Sequence, residues 1–135
     1  MQHRITQAQY QEVFANIDIC NALFPQAFPK RGGAQVKPLK VGIAKELQSA
    51  LQAAGHEVSM KAIRRLLTYW CSRNFYLKSF KNAASRIDLA GEPAGEITEE
   101  QRSIAKTTLT DRANRLQAKQ EVRIEASESV AQKAI

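Results

Sequence analysis

The sequence predicts an α+β domain that is mainly α-helical, and three observations carry that prediction. Apolar residues recur at helical spacing in several stretches separated by Gly and Pro. Two of those stretches are opened by capping boxes, Thr6 with Gln9 and Thr98 with Gln101. One short segment, Arg86-Ile87-Asp88-Leu89, instead alternates polar and apolar, the period of a strand. The expectation is a compact single unit of about five helices and a small β-hairpin. The chain has 135 residues, 44% of them hydrophobic, with five Phe, three Tyr and one Trp, enough for one buried core.

The elements follow in order. Tyr10, Val13, Phe14 and Ile17 form one apolar stripe on a first helix after the Thr6 cap. Phe24-Pro25 and Phe28-Pro29 end it and lead into Lys30-Arg31-Gly32-Gly33, an exposed loop by composition. After Pro38 a second amphipathic stretch places Val41, Ala44, Leu47, Leu51 and Ala54 on one face, and Gly55 stops it. Ser59 caps a third helix whose Met60, Ile63, Leu66, Leu67 and Trp70 point inward, while Lys61, Arg64, Arg65 and Thr68 occupy its outer face. Ser72 can cap a further short helix running through Arg73, Asn74, Tyr76 and Lys78. Segment 86–89 then faces Ile87 and Leu89 inward, a Gly- and Pro-rich turn covers 90–95, and Glu96-Ile97 returns as the partner strand. The final helix packs through Ile104, Leu109, Ala113 and Leu116. Past about residue 118 the apolar spacing fails, so 1–118 is expected as the domain and 119–135 as a frayed helical tail.

Charge is the strongest functional signal. Between Lys30 and Arg86 twelve Lys or Arg residues face only two acids, Glu46 and Glu57, a local net charge of +10 within a chain of +7 overall. Such a field repels itself unless a polyanion sits against it, and nucleic acid is the commonest polyanion. A merely soluble helix mixes signs in i, i+4 pairs, which the face carrying Lys61, Arg64 and Arg65 does not. At the Ser72 cap, outward N–H groups beside Arg73 and Asn74 make an anion site, unless Ser72 only caps a kink.

Other classes are excluded or weakened. No apolar run approaches a bilayer span and the N-terminus lacks a signal core, so a cytoplasmic protein without membrane contact is expected. Cys20 and Cys71 stand far apart with no CxxC or His-rich neighbourhood, so two reduced thiols are expected and no metal or cofactor. A nuclease using His56 and Glu57 is disfavoured because adjacent residues seldom converge on one substrate atom. A helix-turn-helix that reads double-stranded DNA is the main alternative, since 41–70 contains helix, glycine turn and basic helix. A protein-interaction module with an incidental basic face is a third reading.

Phe24-Pro25 with Phe28, then Lys37-Pro38-Leu39-Lys40-Val41-Gly42-Ile43, then Tyr76-Leu77, then Ser85-Arg86-Ile87-Asp88-Leu89 resemble the ProQ/FinO family of bacterial RNA chaperones. The match runs over about 23–91, and the order and spacing of the motifs make it specific. The resemblance implies a helical domain with a small hairpin and a basic concave face. It implies binding of structured small RNAs and mRNA 3′ ends at the base of a terminator stem and its single-stranded tail, without enzymatic activity. It also implies stabilisation of those RNAs and assisted RNA–RNA pairing in post-transcriptional regulation. The family's concave-face Tyr and Arg fall on Tyr76 and Arg86, its helix Arg on Arg64, and the bases of its PLK motif on Lys37 and Lys40. Lys81 matches a family Lys, and the 3′-terminal pocket falls around Ser72, Arg73 and Asn74; Lys61, Arg65 and Lys78 extend the basic surface. Phe75 stands where the family often has Arg, Ala83 where it often has Gly, and Ala90 where an acid commonly follows. A monomer is expected, and the long linker and extra C-terminal domain of larger relatives are expected to be absent.

On physical grounds the cations give salt-dependent strength while shape gives choice, because an A-form stem hides its base edges in a deep groove. The Tyr76 ring is expected to stack on a terminal base or ribose with Arg86 forking the phosphate; the alternatives are a half-buried core aromatic and a solvated strand charge.

Overall fold

Helix α3, Met60–Cys71, is the spine against which α1 and α2 both pack. A computed structural model describes residues 5–30 and 36–133, with side chains through residue 126. The remaining helices are α1, Gln7–Leu23; α2, Ile43–Ala53; α4, Asn74–Ser79; and α5, Glu99–Lys133. The expected loop from Arg31 to Gly33 lies outside the described residues.

Local chemistry sets most helix starts. Thr6 and Gln9 form the reciprocal capping box of α1, at 3.2 and 2.9 Å, and Thr98 with Gln101 does the same before α5, at 3.1 and 3.0 Å. Ser59 Oγ accepts the Ala62 N–H at 3.1 Å to open α3. Helix α2 starts later than the periodicity predicts. Gly42 takes φ +79 just before it, which turns Val41 outward to 73% exposure, while Ile43 rather than Val41 leads the buried stripe with Leu47 and Leu51.

The core is built on α3. Trp70, Ile63 and Leu66 are wholly buried with Phe28, Leu47, Leu51 and Val13. Phe28 and Phe75 meet the Trp70 ring edge-on, with centroids 5.1 and 4.9 Å away. Asn21 Nδ2 donates to Phe28 O at 2.7 Å, folding the chain after α1 back onto the core.

The predicted two-stranded hairpin is not formed, and no strand is present among the described residues. Ile87 makes two isolated bridges, parallel to Leu39 and antiparallel to Pro93. Pro93 has no N–H to extend a ladder, and Gly91 and Gly95 take positive φ on either side of it. Arg86 therefore pairs with Ala94 and Gly95, and Glu96-Ile97 does not return as a strand. Asp88 accepts the N–H groups of Ala90 and Glu92 at 2.9 and 3.0 Å and builds the turn.

Helix α5 also differs from its pattern. Ala105 is the one buried residue of α5 among the described side chains, whereas Ile104 and Leu116 are 58% and 59% exposed. Arg102 anchors the helix by donating to the carbonyls of Phe80, Lys81 and Ala83, the free carbonyls after α4. The helix continues to Lys133, with every described side chain from Ala113 to Ala126 exposed.

Candidate functional site

The extended stretch 38–40 has its two faces used by different partners. Lys40 N–H and Pro38 C=O bond Ile87 at 2.8 and 2.9 Å. By strand alternation the N–H and C=O of Leu39 point the other way, and both find side chains. Tyr76 Oη, on α4, accepts the Leu39 N–H at 2.9 Å, and Arg86 Nη1 donates to Leu39 O at 2.9 Å.

These contacts form one end of a groove of about 400 Å³ between 39–43, the end of α3, α4 and α5. Tyr76 packs edge-on to Phe80, centroids 5.5 Å apart, and the Arg86 guanidinium lies over the same Phe80 ring at 5.4 Å. Exposed Val41 and Ile104 supply an apolar rim, and Lys40, ion-paired with Glu46, adds a charge there.

The electrostatics single out Arg86. Its Nε is buried without a hydrogen-bond partner, and no carboxylate lies within ion-pair distance of it among the described residues. A guanidinium stays charged, so a part-buried one with only a backbone carbonyl is poised for an anion. Burial pushes the Tyr76 phenol well above the ordinary tyrosine range, reinforced by the neighbouring Cys71. Burial likewise raises the Cys71 thiol, opposed by its hydrogen bond with Tyr76 and by Arg86.

Two expectations need correction. Tyr76 is only 5% exposed, so its ring face is not open for a base to stack on; it belongs to the core, and its hydroxyl serves the Leu39 backbone. Ser72 does not cap α4. It ends α3, its Oγ donating to Tyr69 O at 2.9 Å, and Arg73 holds the position before α4 without a side-chain cap.

The twelve predicted residues do not gather into one concave basic cavity. The groove takes Lys40, Tyr76 and Arg86. Lys78 and Lys81 line a second cleft, between α4 and α5, beside Arg102 and Lys106. Ser72, Arg73 and Asn74 line a third cavity with Phe75 and Arg112. Lys61 and Arg64 are exposed on α3, Lys37 is exposed before Pro38, and Arg65 is ion-paired with Glu12 at 3.8 Å. Sequence reasoning misses Gln101, Ile104, Arg102 and Arg112 because α5 reaches these cavities only through the tertiary fold. Ile104 stands in the apolar pattern of α5, but nothing in that pattern marks Arg112.

The arrangement can bind and orient an anion carrying a flat apolar group. Among the described residues no cluster of three His, Cys, Asp or Glu could hold a metal, and no helix is long and apolar enough to cross a membrane. His56 and Glu57 lie at the α2–α3 turn; neither lines the groove.

Comparison with known proteins agrees with this architecture. The family model described as the ProQ/FINO family matches residues 10–122. The RNA chaperone ProQ of Shewanella amazonensis is 35% identical over 111 residues, 82% of this chain and 49% of that protein. The corresponding Vibrio vulnificus protein is 37% identical over 109 residues, 81% of this chain and 50% of that protein. The chain thus spans about half the length of the curated relatives it matches. The solution structure of a ProQ homolog from Legionella pneumophila superposes with a TM-score of 0.59 at 30% identity, covering 84% of this chain and 90% of that one. The crystal structure of a FinO-like RNA chaperone from Neisseria meningitidis gives 0.57 at 26% identity, covering 73% and 74%.

Proposed function

Because the chain belongs to the ProQ/FINO family, we propose that it is a non-enzymatic RNA chaperone that grips the end of a structured RNA in the groove beside Arg86. The observation that carries the reading is the Arg86 guanidinium, which lines the groove with no carboxylate within ion-pair distance among the described residues. A terminal phosphodiester gives that guanidinium the anion it lacks, and the apolar rim of Val41 and Ile104 receives the adjoining sugar or base. Tyr76 acts as a positioning residue, holding Leu39 so that Arg86 is aimed correctly. Exposed Lys37, Lys61, Arg64, Lys78 and Lys81 meet phosphates of the adjoining stem, with Lys40 at the rim. Arg65 contributes less because Glu12 already pairs with it.

The preferred ligand is a terminator-like hairpin with a single-stranded 3′ tail, as in small regulatory RNAs and mRNA 3′ ends. Stabilisation of such RNAs, and faster pairing with a complementary strand, follow from charge neutralisation without ATP. Binding of a tailed hairpin, the same hairpin blunt, and a DNA duplex at one salt concentration tests this. The tailed RNA should bind at least tenfold more tightly than either. Equal affinity for the DNA duplex would favour the helix-turn-helix reading over this one.

A further inference from the structure

We propose that the cleft between α4 and α5 docks an acidic amphipathic helix of a partner protein. The inference goes beyond the RNA reading and does not depend on it.

The cleft encloses about 590 Å³ and runs along one face of α5, where Glu99, Arg102, Ser103, Lys106 and Thr110 line it at the spacing i, i+3, i+4, i+7, i+11. That is three turns, roughly 16 Å of helix, longer than a single phosphate or carboxylate needs. Its floor is hydrocarbon. Leu77 and Phe80 come from α4 and its C-cap, Ala105 and Leu109 from α5. Leu77, Phe80 and Ala105 also line the groove, so the cleft backs onto it.

Charge fixes the chemistry of the occupant. Lys78 and Lys81 stand on one wall and Lys106 on the other, all three exposed and none with a carboxylate within ion-pair distance among the described residues. Arg102 is engaged with the carbonyls of Phe80, Lys81 and Ala83, and the one acid of the cleft, Glu99, lies 3.8 Å from that same Arg102. An apolar strip therefore lies between uncompensated cations on both walls. A helix with Leu or Ile along one face and Glu or Asp on its flanks complements strip and walls together. RNA fits less well. Its phosphates can meet the lysines, but a base needs an open aromatic face, and the Phe80 ring is 8% exposed and already packed by Tyr76 and Arg86. Lys78 and Lys81 also serve the RNA stem in the reading above, so a docked segment competes for those two side chains. Lys106 and Leu109 line the cleft and not the groove.

The test uses the full chain and a labelled synthetic peptide of about fourteen residues, with Leu along one helical face and Glu on its flanks. Fluorescence anisotropy should show it binding at least about tenfold more tightly than a scrambled peptide of the same composition, which keeps the charge and loses the face. Lys106→Glu, a surface change, and Leu109→Gln should each weaken the peptide about tenfold while moving the affinity for a 3′-tailed hairpin RNA by no more than about twofold. Equal binding of the scrambled peptide, or unchanged peptide binding by Lys106→Glu, would overturn the proposal. A Lys106→Glu chain that loses the RNA instead would also overturn it, and would give the cleft to nucleic acid. A wild-type chain that binds the amphipathic peptide and no RNA removes the RNA reading and leaves this one standing.

Discussion

The Tyr76 hydroxyl accepts the N–H of Leu39 at 2.9 Å across 37 residues of sequence. The carbonyl of the same Leu39 receives Arg86. A core tyrosine and a part-buried cation are thereby tied to one short extended segment, so the groove's charge is aimed by the fold's interior. Stability and binding should be coupled through this link.

Tyr76→Phe removes only the hydroxyl and leaves the buried Leu39 N–H unpaired, which costs about 1–3 kcal/mol. Tyr76→Ala also opens a core cavity and should cost about 3–5 kcal/mol. Urea unfolding checks both values. RNA affinity of folded Tyr76→Phe should drop even though its ring is retained; wild-type affinity would remove Tyr76 from the positioning role.

Arg86→Met keeps much of the packing over Phe80 and removes an uncompensated charge but leaves the Leu39 carbonyl without its donor, so stability should fall by no more than about 1–3 kcal/mol. Affinity for tailed RNA should nevertheless fall at least tenfold, with the salt slope lower by about one unit. Salt-titrated anisotropy reads both quantities. A loss of stability without a loss of affinity would make Arg86 a structural residue.

How far the sequence reaches depends on how local the cause is. The capping boxes at Thr6 and Thr98, the Ser59 cap and the Ile63, Leu66, Trp70 stripe are legible because their partners lie within a turn or two of chain. Tyr76 is not, because its acceptor role depends on a backbone N–H 37 residues away, and a half-polar ring reads equally well as core or as binding surface. Arg112 meets Ser72 across 40 residues, and no periodicity within α5 marks that contact. The alternation of segment 86–89 does place Ile87 inside, but Pro93 and the flanking glycines limit it to single bridges. Val41 is misplaced by its apolar character, since the Gly42 turn decides its direction.

Gly91 should resist substitution. It holds φ +87, and an added Cβ would stand 2.8 Å from Gln26 Cβ, a side-chain root that cannot swing away. Gly91→Ala should cost about 1–3 kcal/mol, displacing the 86–95 turn that carries Arg86. Thermal melting checks the cost, and an unchanged melting temperature contradicts it.

Stability should fall in alkali. Burial pushes the Cys20 thiol up to about 12 and raises both Cys71 and Tyr76, so the native state keeps protons that the unfolded chain releases from about pH 9 upward. With fewer protons on the unfolded state, stability is fully present below about pH 8.5 and declines as pH rises, at up to about 1.4 kcal/mol per pH unit for each group. Urea midpoints at pH 8 and 10.5 measure the decline, and Cys20→Ala should make it shallower. Identical midpoints would contradict the burial argument.

The most direct measurement is an NMR titration of the protein with a 3′-tailed hairpin RNA, following the Arg86 Nε–H and the Leu39 backbone N–H. The account predicts that both resonances move at the first equivalents. A tightly bound RNA that leaves both unmoved, while shifting only the exposed face of α3, would contradict the claim that the groove holds the RNA end.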